Sequence, residues 1–302
     1  GRGSMKRTIT GLLCGLALLF VLAGNLAFAV YENRINGLVL GASAQPQQAS
    51  TVDLPVLMYH HILKDPAGTG EFVITPDQFE ADLCYLRDQG YTTIGFQDVI
   101  DFYENRRPLP EKPVLITFDD GYETFYAYAY PMLQKYQDRA AVMIVGKYTD
   151  LYSGDVIKGL SYAHLSWDDL REMQQSQLVE VGNHTYGLHS LDGRQGIQKL
   201  DSESTDQYQQ MLPTAFGSLT HPIADQLGTV PLGFAYPYGK ISSESEQVLK
   251  ELGFRVVLTC EQKMNHLDAS TYQQGDLIKL KRFNRSGNLS TQEFFQKCGL
   301  PG

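Results

Sequence analysis

The sequence predicts an α/β fold built around one parallel sheet, and three observations lead to this class. Short apolar runs alternate with stretches of helical periodicity from residue 55 to near the C-terminus, a pattern that parallel strands joined by helices produce. Apolar residues make up 43% of the chain and charged residues 20%, enough to bury the core of one large domain. Polar clusters follow several apolar runs directly, as expected where chemistry lies at the C-terminal ends of parallel strands.

Each predicted element follows from its local pattern. Strands are expected where short apolar runs are bounded by turn residues, namely at 55–62, 91–94, 114–118, 140–145, 179–183, 233–236, 254–259 and 277–283. Helices are expected where apolar residues recur every three or four positions, namely at 76–89, 122–136, 167–175, 204–218, 242–252 and 291–297. The polar, Gly-containing stretch 190–231 is expected to form in part a loop at the rim of the site.

The folded domain is expected to span residues 55–302, after three shorter segments. Residues 1–4 precede a Met and are typical of a cloning scar. Residues 5–30 carry Met-Lys-Arg and then an uncharged run that is just long enough to span a bilayer. A cleaved signal peptide and a retained membrane anchor both remain open, and either one predicts a secreted or cell-surface protein. Residues 31–54 are expected to be a polar linker.

The net charge and the cysteine content limit which partners and which disulfide bonds are expected. The formal net charge of −9 argues against nucleic acid as a partner. Three cysteines lie beyond the leader, Cys84, Cys260 and Cys298. Because three is an odd number, at least one thiol would stay free, and no disulfide framework is indicated. The chain is expected to act as a monomer.

Two adjacent carboxylates, Asp119 and Asp120, follow the apolar run that begins at Val114 and precede Gly121. Side chains alternate between the two faces of a strand, so these carboxylates point the same way only if the chain leaves the pleat between them. Two different chemical roles are therefore expected. Taken alone, the pattern also fits an ordinary strand that ends in an Asp-Asp-Gly turn.

A pair of histidines, His184 and His189, follows the next polar strand end, at Asn183. A spacing of five residues turns the two side chains apart on a helix, which excludes a helical zinc-protease pair. If Gly187 lets the chain fold back, both imidazoles can converge. One carboxylate and two imidazoles suit a divalent first-row metal ion, although a structural or exposed His pair is the competing interpretation.

A third strand end, Gly233-Phe-Ala-Tyr-Pro-Tyr-Gly239, places Pro and Gly where a backbone N–H can be held beside the other two. Taken alone, this segment fits an edge strand with a turn.

Together and in this order, the three clusters resemble the polysaccharide deacetylases of the NodB-homology type, carbohydrate esterase family 4. Thr117 to Gly121 matches the family's Thr-Phe-Asp-Asp-Gly motif. His184 to His189 is one residue longer than the usual His-Ser/Thr-x-x-His, and Ala235 stands where the third motif has Arg. Both departures also occur in the branch that deacetylates poly-β-1,6-N-acetylglucosamine, a biofilm exopolysaccharide, and that branch opens its domain with a strand similar to Pro55–Ile62.

The resemblance implies a distorted (β/α) barrel of about seven parallel strands with one divalent metal ion, zinc in the first place and cobalt or nickel as alternatives. It assigns the metal ligands to Asp120, His184 and His189, and the general base to Asp119. It assigns the oxyanion and substrate contacts to Tyr238, Pro237 and Tyr236, with the Tyr238 backbone N–H next to the oxyanion. His60 is expected to be the general acid, and its neighbour His61 to face the other way.

The Arg that usually partners the base is missing. Arg282, in Leu280-Lys-Arg-Phe-Asn-Arg285, is a candidate replacement, but a solvated charged strand is the favoured interpretation. The pKa of the base would then be less perturbed than in other members. Asn183 and His61 are the other residues expected to support the site, and Gly187 stands where the biofilm branch commonly has Asp.

Three functions remain open on the sequence. The first is metal-dependent removal of N-acetyl groups from an extracellular N-acetylglucosamine polymer, either poly-β-1,6-N-acetylglucosamine or peptidoglycan, giving acetate and free amine. The second is an O-acetyl esterase that acts on acetylated xylan or another glycan, and the third is a weakly active glycan-binding wall protein. The partner is an acetylated polysaccharide in each case, with the membrane as a further partner if the leader is retained. No Gly-x-Ser-x-Gly or His-Glu-x-x-His motif occurs in the sequence, and adjacent Asp residues do not supply the opposed carboxylates of a glycosidase.

Overall fold

The computed structural model describes residues 51–190 and 193–300. The predictions for the cloning scar, the leader and most of the linker lie outside these residues. Thr51–Leu54, which the sequence places at the end of the linker, forms strand β1 and pairs antiparallel with Asn265–Asp268. Within the described ranges, none of the helices combines the length and the apolar character needed to cross a membrane.

The central sheet is parallel at every pairing between its strands. Its strands are β2 (Val56–Tyr59), β5 (Thr92–Ile94), β6 (Pro113–Phe118), β7 (Ala140–Ile144), β8 (Val179–Asn183), β9 (Gly233–Ala235), β10 (Val256–Leu258), β12 (Ile278–Leu280) and β13 (Phe283–Asn284). The order is β12-β10-β9-β8-β7-β6-β2-β13, with β5 paired beside β6. The remaining strands are β3 (His61–Ile62), β4 (Val73–Ile74) and β11 (Asn265–Asp268).

The sheet curls because its two edge strands are almost consecutive in the chain. Only Lys281 and Arg282 separate β12 from β13, so Leu280 and Phe283 lie at most about 11 Å apart along a trans chain. Opposite edges of an eight-strand path are therefore brought together. The predicted distorted barrel is confirmed, with eight strands along its path rather than about seven, because the single strand predicted at 277–283 is divided at this crossing.

The two faces of the strands belong to different cores. On β6, Leu115 packs in the inner cluster with residues of β7, β10 and β12, whereas Ile116 and Phe118 pack in the outer cluster against the helices. The same alternation places Leu57 and Tyr59 of β2 outward. Positions 56, 58 and 60 therefore follow the inner face, which the site uses.

Helices cover the outer face, at Pro76–Asp88, Tyr130–Tyr136, Gly146–Ser153, Trp167–Gln175, Thr205–Leu227, Ser243–Glu251 and Thr291–Lys297. The helix Phe96–Glu104 instead packs in the inner cluster, through Phe96, Val99 and Phe102. Several helices begin with a capping box of the Ser/Thr-x-x-Gln/Glu/Asp type, as at Thr75 and Ser290, where the side chain and backbone satisfy each other. The predicted 122–136 helix starts as a π-helical turn at Phe125–Ala129.

The prediction of helices was incomplete in three places. Phe96–Glu104 and Gly146–Ser153 were not predicted, since each is short and its pattern covers hardly more than two turns. The Thr205–Leu227 helix runs well beyond its predicted end, so most of the stretch expected to be partly a rim loop is helical. Its buried stripe continues through Leu219 and Ile223, and this packing outweighs the Pro residues inside the helix.

Candidate active site

Polar side chains converge at the C-terminal ends of the parallel strands, as the sequence predicts. They surround a cavity of about 510 Å³, large enough for a small acyl group and part of a sugar ring. Its walls come from the ends of β2, β6, β8 and β13 and from the loops after β9 and β10. The lining residues are Met58, His60, His61, Glu71, Phe72, Val73, Asp119, Asp120, Tyr122, His184, His189, Tyr238, Cys260, Gln262 and Asn284.

The chain leaves the pleat between the two carboxylates. Asp119 continues the inward face of β6, while Asp120 has a left-handed backbone with φ 71°, a conformation that costs a non-glycine residue free energy and is often kept at functional sites. Gly121 follows with φ 68°, and a Cβ there would lie 3.1 Å from Ile144. Both carboxylates therefore reach one cavity, in different environments.

Arg282 holds Asp119 with two hydrogen bonds, from Nη1 to Oδ1 at 2.7 Å and from Nη2 to Oδ2 at 2.8 Å. Its guanidinium also donates to the Thr259 carbonyl and the Thr117 hydroxyl, and its side chain is 0% exposed. The favoured interpretation of a solvated strand was therefore wrong. The short connection between β12 and β13 directs the Arg282 side chain into the barrel, and the local sequence contains no signal for this placement.

The same pair sets the pKa of Asp119. Burial alone would raise the pKa of Asp119, but Arg282 and the imidazoles of His184 and His60 outweigh it and hold that pKa well below its usual range. The expectation of a less perturbed base was wrong for the same reason. Asp119 is consequently an ionised, oriented carboxylate at neutral pH.

Asp120, His184 and His189 form a compact group whose ligand atoms all lie within 4.8 Å of one another. Oδ1 of Asp120 is 3.0 Å from Nε2 of His189 and 3.5 Å from Nε2 of His184. Despite these short distances, neither imidazole is aligned to donate a hydrogen bond to that oxygen, which is buried without such a partner among the described residues. A buried carboxylate oxygen that faces two imidazole nitrogens fits a divalent cation better than it fits a protein hydrogen bond.

Neighbouring groups orient these three residues. Nδ1 of His184 donates to the Ala235 carbonyl at 2.8 Å, which leaves the Nε2 lone pair directed at the site, the usual arrangement of a metal-ligating histidine. The Asn183 side chain accepts from the Thr185 N–H at 2.7 Å and donates to Thr220 at 3.1 Å. Thr185 has φ 67°, so Asn183 stabilises the turn that separates His184 from the strand.

His60 and His61 both line the cavity, although His61 was expected to face the other way, and the two rings differ in their hydrogen bonds. The ring of His61 is hydrogen-bonded at both nitrogens, to the Thr124 hydroxyl at 2.9 Å and the Ser161 carbonyl at 3.0 Å. His60 lines the cavity, and its Nδ1 is buried without a partner among the described residues. Burial lowers the pKa of His60, an effect that Asp119 and Asp120 partly offset.

The structure places the residues of the third cluster, after strand β9, in different environments. Tyr238 has φ 57° and is 37% exposed, and its ring centroid lies 4.8 Å from that of His189 with the two planes tilted by 33°. Pro237 is buried at the start of the same turn. Tyr236 is 1% exposed and packs in the core, with its hydroxyl 3.2 Å from Ser245. The prediction that the Tyr236 side chain contacts substrate was therefore wrong, because this residue lies on the outward face at the end of its strand.

One histidine of the site was missed. Nδ1 of His164 donates to the Asp120 carbonyl at 2.9 Å, and its ring stacks on Tyr122. This contact holds the left-handed Asp120 backbone in place. His164 lies 44 residues from Asp120 and belongs to no motif, so the sequence contains no signal for it.

This chain belongs to the polysaccharide deacetylase family, because the sequence model of that family matches residues 106–257. It is 30% identical over 221 residues to YxkH of Bacillus subtilis, a protein assigned to the polysaccharide deacetylases, with 72% of this chain and 68% of that protein covered. The predicted family and the predicted enzyme class, a hydrolase of the deacetylase type, are confirmed.

Two further relatives carry more specific names. The poly-β-1,6-N-acetyl-D-glucosamine N-deacetylase of Escherichia coli K12 is 26% identical over 263 residues, which cover 78% of this chain. The chain spans 37% of the length of that relative. The solved structure of a de-N-acetylase from Aggregatibacter actinomycetemcomitans superposes with a TM-score of 0.68 at 26% identity, over 82% of this chain and 100% of that one.

Proposed function

We propose that this protein removes N-acetyl groups from an N-acetylglucosamine polymer outside the cell, of the poly-β-1,6-linked or peptidoglycan type, and yields acetate and a free amine. The observation that carries this proposal is the buried Asp119–Arg282 pair next to the Asp120, His184 and His189 group. His60 lines the same cavity. The names of the E. coli and A. actinomycetemcomitans relatives support the N-acetyl linkage. The uncharged run within residues 5–30 supports export, as a signal peptide or an anchor.

Asp120, His184 and His189 would hold one divalent cation, for which the mixed carboxylate and imidazole donors favour zinc over harder ions. When bound, such an ion polarises the acetyl carbonyl and makes water a better nucleophile at neutral pH. Cobalt or nickel would suit the same donors. All of the ligands come from one chain, which is consistent with a monomer.

Asp119 accepts the proton of the attacking water. Arg282 keeps this carboxylate ionised and fixes both of its oxygens, so its free lone pairs have one orientation relative to the acetyl carbon. A carboxylate with a lowered pKa is a weaker base, so the position of Asp119 is expected to contribute more to proton transfer than its basicity does.

His60 donates a proton to the departing amine. It lines the cavity while Nδ1 is buried, which makes Nε2 the ring nitrogen that a substrate can reach. Proton donation matters for an amine, which is a poor leaving group without it. The Tyr238 backbone N–H is proposed to stabilise the oxyanion, and the exposed Tyr238 ring would contact the sugar.

The experiment that tests this function measures acetate and amine together. The Zn²⁺-loaded protein is incubated with β-1,6-linked and β-1,4-linked N-acetylglucosamine oligomers, a peptidoglycan fragment and acetylated xylan, with Asp119→Asn as the matched inactive control. Equal amounts of acetate and new amine from an N-acetylglucosamine substrate are expected. Acetate from xylan alone would make the protein an O-acetyl esterase, and binding without acetate from any substrate would make it a glycan-binding protein.

A further inference from the structure

One wall of the cavity contains a buried amide whose oxygen has no partner. Asn284, at the end of β13, is 5% exposed and lines the cavity. Its Nδ2 donates to the Glu71 carbonyl at 2.9 Å, which fixes the orientation of the amide. Its Oδ1 is buried and accepts no hydrogen bond from the described residues. Leaving such an acceptor unmatched is unfavourable, so a function is expected for it.

The same wall contains a buried ring nitrogen with the same deficiency. Nδ1 of His60 has no hydrogen-bond partner within the described part of the chain. A neutral imidazole carries a proton on one of its two nitrogens, so Nδ1 can be a donor. An amide oxygen and an imidazole N–H are complementary groups.

The fold places these two side chains next to each other. Strand β13 runs parallel to β2, with Asn284 opposite Met58, and the Arg285 N–H donates to the Met58 carbonyl at 2.9 Å. His60 follows Met58 by two residues and so returns to the same inward face. The strands of a sheet lie roughly 4.8 Å apart, so a side chain at position 284 can reach one at position 60.

A second contact ties Asn284 to the surroundings of His60. The Glu71 carbonyl that accepts from Asn284 precedes Phe72, and the Phe72 ring packs edge-on against His60 with centroids 4.9 Å apart. Asn284 therefore anchors the loop that covers one side of the imidazole. Because Oδ1 is buried, a neighbouring protein group suits it better than a substrate group in the open cavity.

We propose that Asn284 is a positioning residue for His60, whose Oδ1 accepts a hydrogen bond from Nδ1–H and leaves Nε2 directed at the substrate. This proposal rests on the deacetylase function proposed above. The two groups are not hydrogen-bonded in this structure, and catalytic hydrogen bonds commonly tighten only when substrate is bound.

The bond would assist the proton transfer that breaks the amide. Before this step His60 takes up a proton from solvent at Nε2, and Asp119 holds the proton of the attacking water. As the C–N bond breaks, Nε2–H of the His60 imidazolium passes its proton to the amine nitrogen, the acetyl carbon keeps the oxygen of the attacking water as acetate, and Asp119 then releases its proton to solvent. His60 returns to the neutral tautomer with its proton on Nδ1. A fixed acceptor for Nδ1–H stabilises both forms of the ring that this step requires.

The test uses the Zn²⁺-loaded full chain and four variants: Asn284→Leu, Asn284→Asp, His60→Ala and the combined Asn284→Leu/His60→Ala. Asn284→Leu is expected to lower kcat on an N-acetylglucosamine oligomer by roughly 10- to 100-fold, part of what general acid catalysis contributes, with KM little changed. Turnover of an activated aryl acetate, whose leaving group needs no proton, is expected to stay within a few-fold. Asn284→Asp keeps the acceptor oxygen and loses the donor to Glu71, so it should retain most of the activity.

The combined variant separates a role through His60 from a general one. If Asn284 acts through His60, then Asn284→Leu causes no further loss in the His60→Ala background. Additive losses, equal losses on both substrates, or equal losses for Asn284→Leu and Asn284→Asp would overturn the proposal.

A spectroscopic measurement keeps the proposal independent of activity. ¹⁵N chemical shifts of the His60 ring, recorded with a glucosamine oligomer present and assigned by comparison with His60→Ala, are expected to show the Nδ1–H tautomer in the wild type and a mixture in Asn284→Leu. An unchanged tautomer would overturn the positioning role. Absence of acetate release by the wild type would instead refute the proposed function, and the tautomer experiment would still decide the role of Asn284.

Discussion

Removal of the Arg282 guanidinium is expected to be among the most damaging single changes in this domain. In Arg282→Met, the side chain keeps much of its length, but Asp119 is left as a buried carboxylate without its cation. Arg282 donates hydrogen bonds to Asp119, Thr117 and Thr259, and both members of the pair are nearly inaccessible, at 0% and 3% exposure. Breaking a buried ion pair by removing one partner costs about 3–5 kcal/mol, a third or more of the stability of many domains.

Urea unfolding of the metal-loaded protein measures this loss. With a slope of about 3 kcal/mol per molar urea, the midpoint should fall by about 1 to 1.7 M. Lys281→Met is the matched control, since Lys281 is the adjacent cation, its side chain is 36% exposed, and it pairs with Glu261 at 3.2 Å. An exposed pair of this kind contributes about 0–1 kcal/mol. Equal midpoints for Arg282→Met and Lys281→Met would refute the reasoning and restore the interpretation of a solvated strand.

The remaining predictions concern the chemistry of the site. His189→Ala should release the bound metal ion, measured by elemental analysis after dialysis, and full metal occupancy in that variant would contradict the ligand assignment. Asp119→Asn should keep the metal but lower acetate release by roughly 10²- to 10⁴-fold, the usual loss of a general base, and wild-type turnover with metal present would show that another group accepts the proton. His60→Ala should impair turnover of an N-acetyl substrate far more than turnover of an activated aryl ester. His61→Ala loses the hydrogen bonds to Thr124 and Ser161, so it should lower the urea midpoint of unfolding and have little effect on turnover of either substrate. A larger catalytic loss in His61→Ala would exchange the roles of the two histidines.

The sequence by itself determined the parts of the site that depend on local geometry. Strand alternation predicted different environments for His60 and His61. Both rings line the cavity, but only the His61 ring is hydrogen-bonded at both nitrogens, to Thr124 and Ser161. Alternation also required a break between Asp119 and Asp120, which the left-handed φ of Asp120 supplies. The break between the carboxylates follows from the period of a strand and needs no knowledge of distant contacts.

Only the tertiary structure decided the partners of those residues. Arg282 lies 163 positions from Asp119. The charges around it in the sequence favoured a solvated strand, but the short connection from β12 to β13 directs its side chain into the barrel. His164 and Asn284 reach the site from segments without a motif. The physical reason is the same in each case: a local pattern fixes which face a side chain occupies, whereas the closure of the sheet fixes what lies opposite that face.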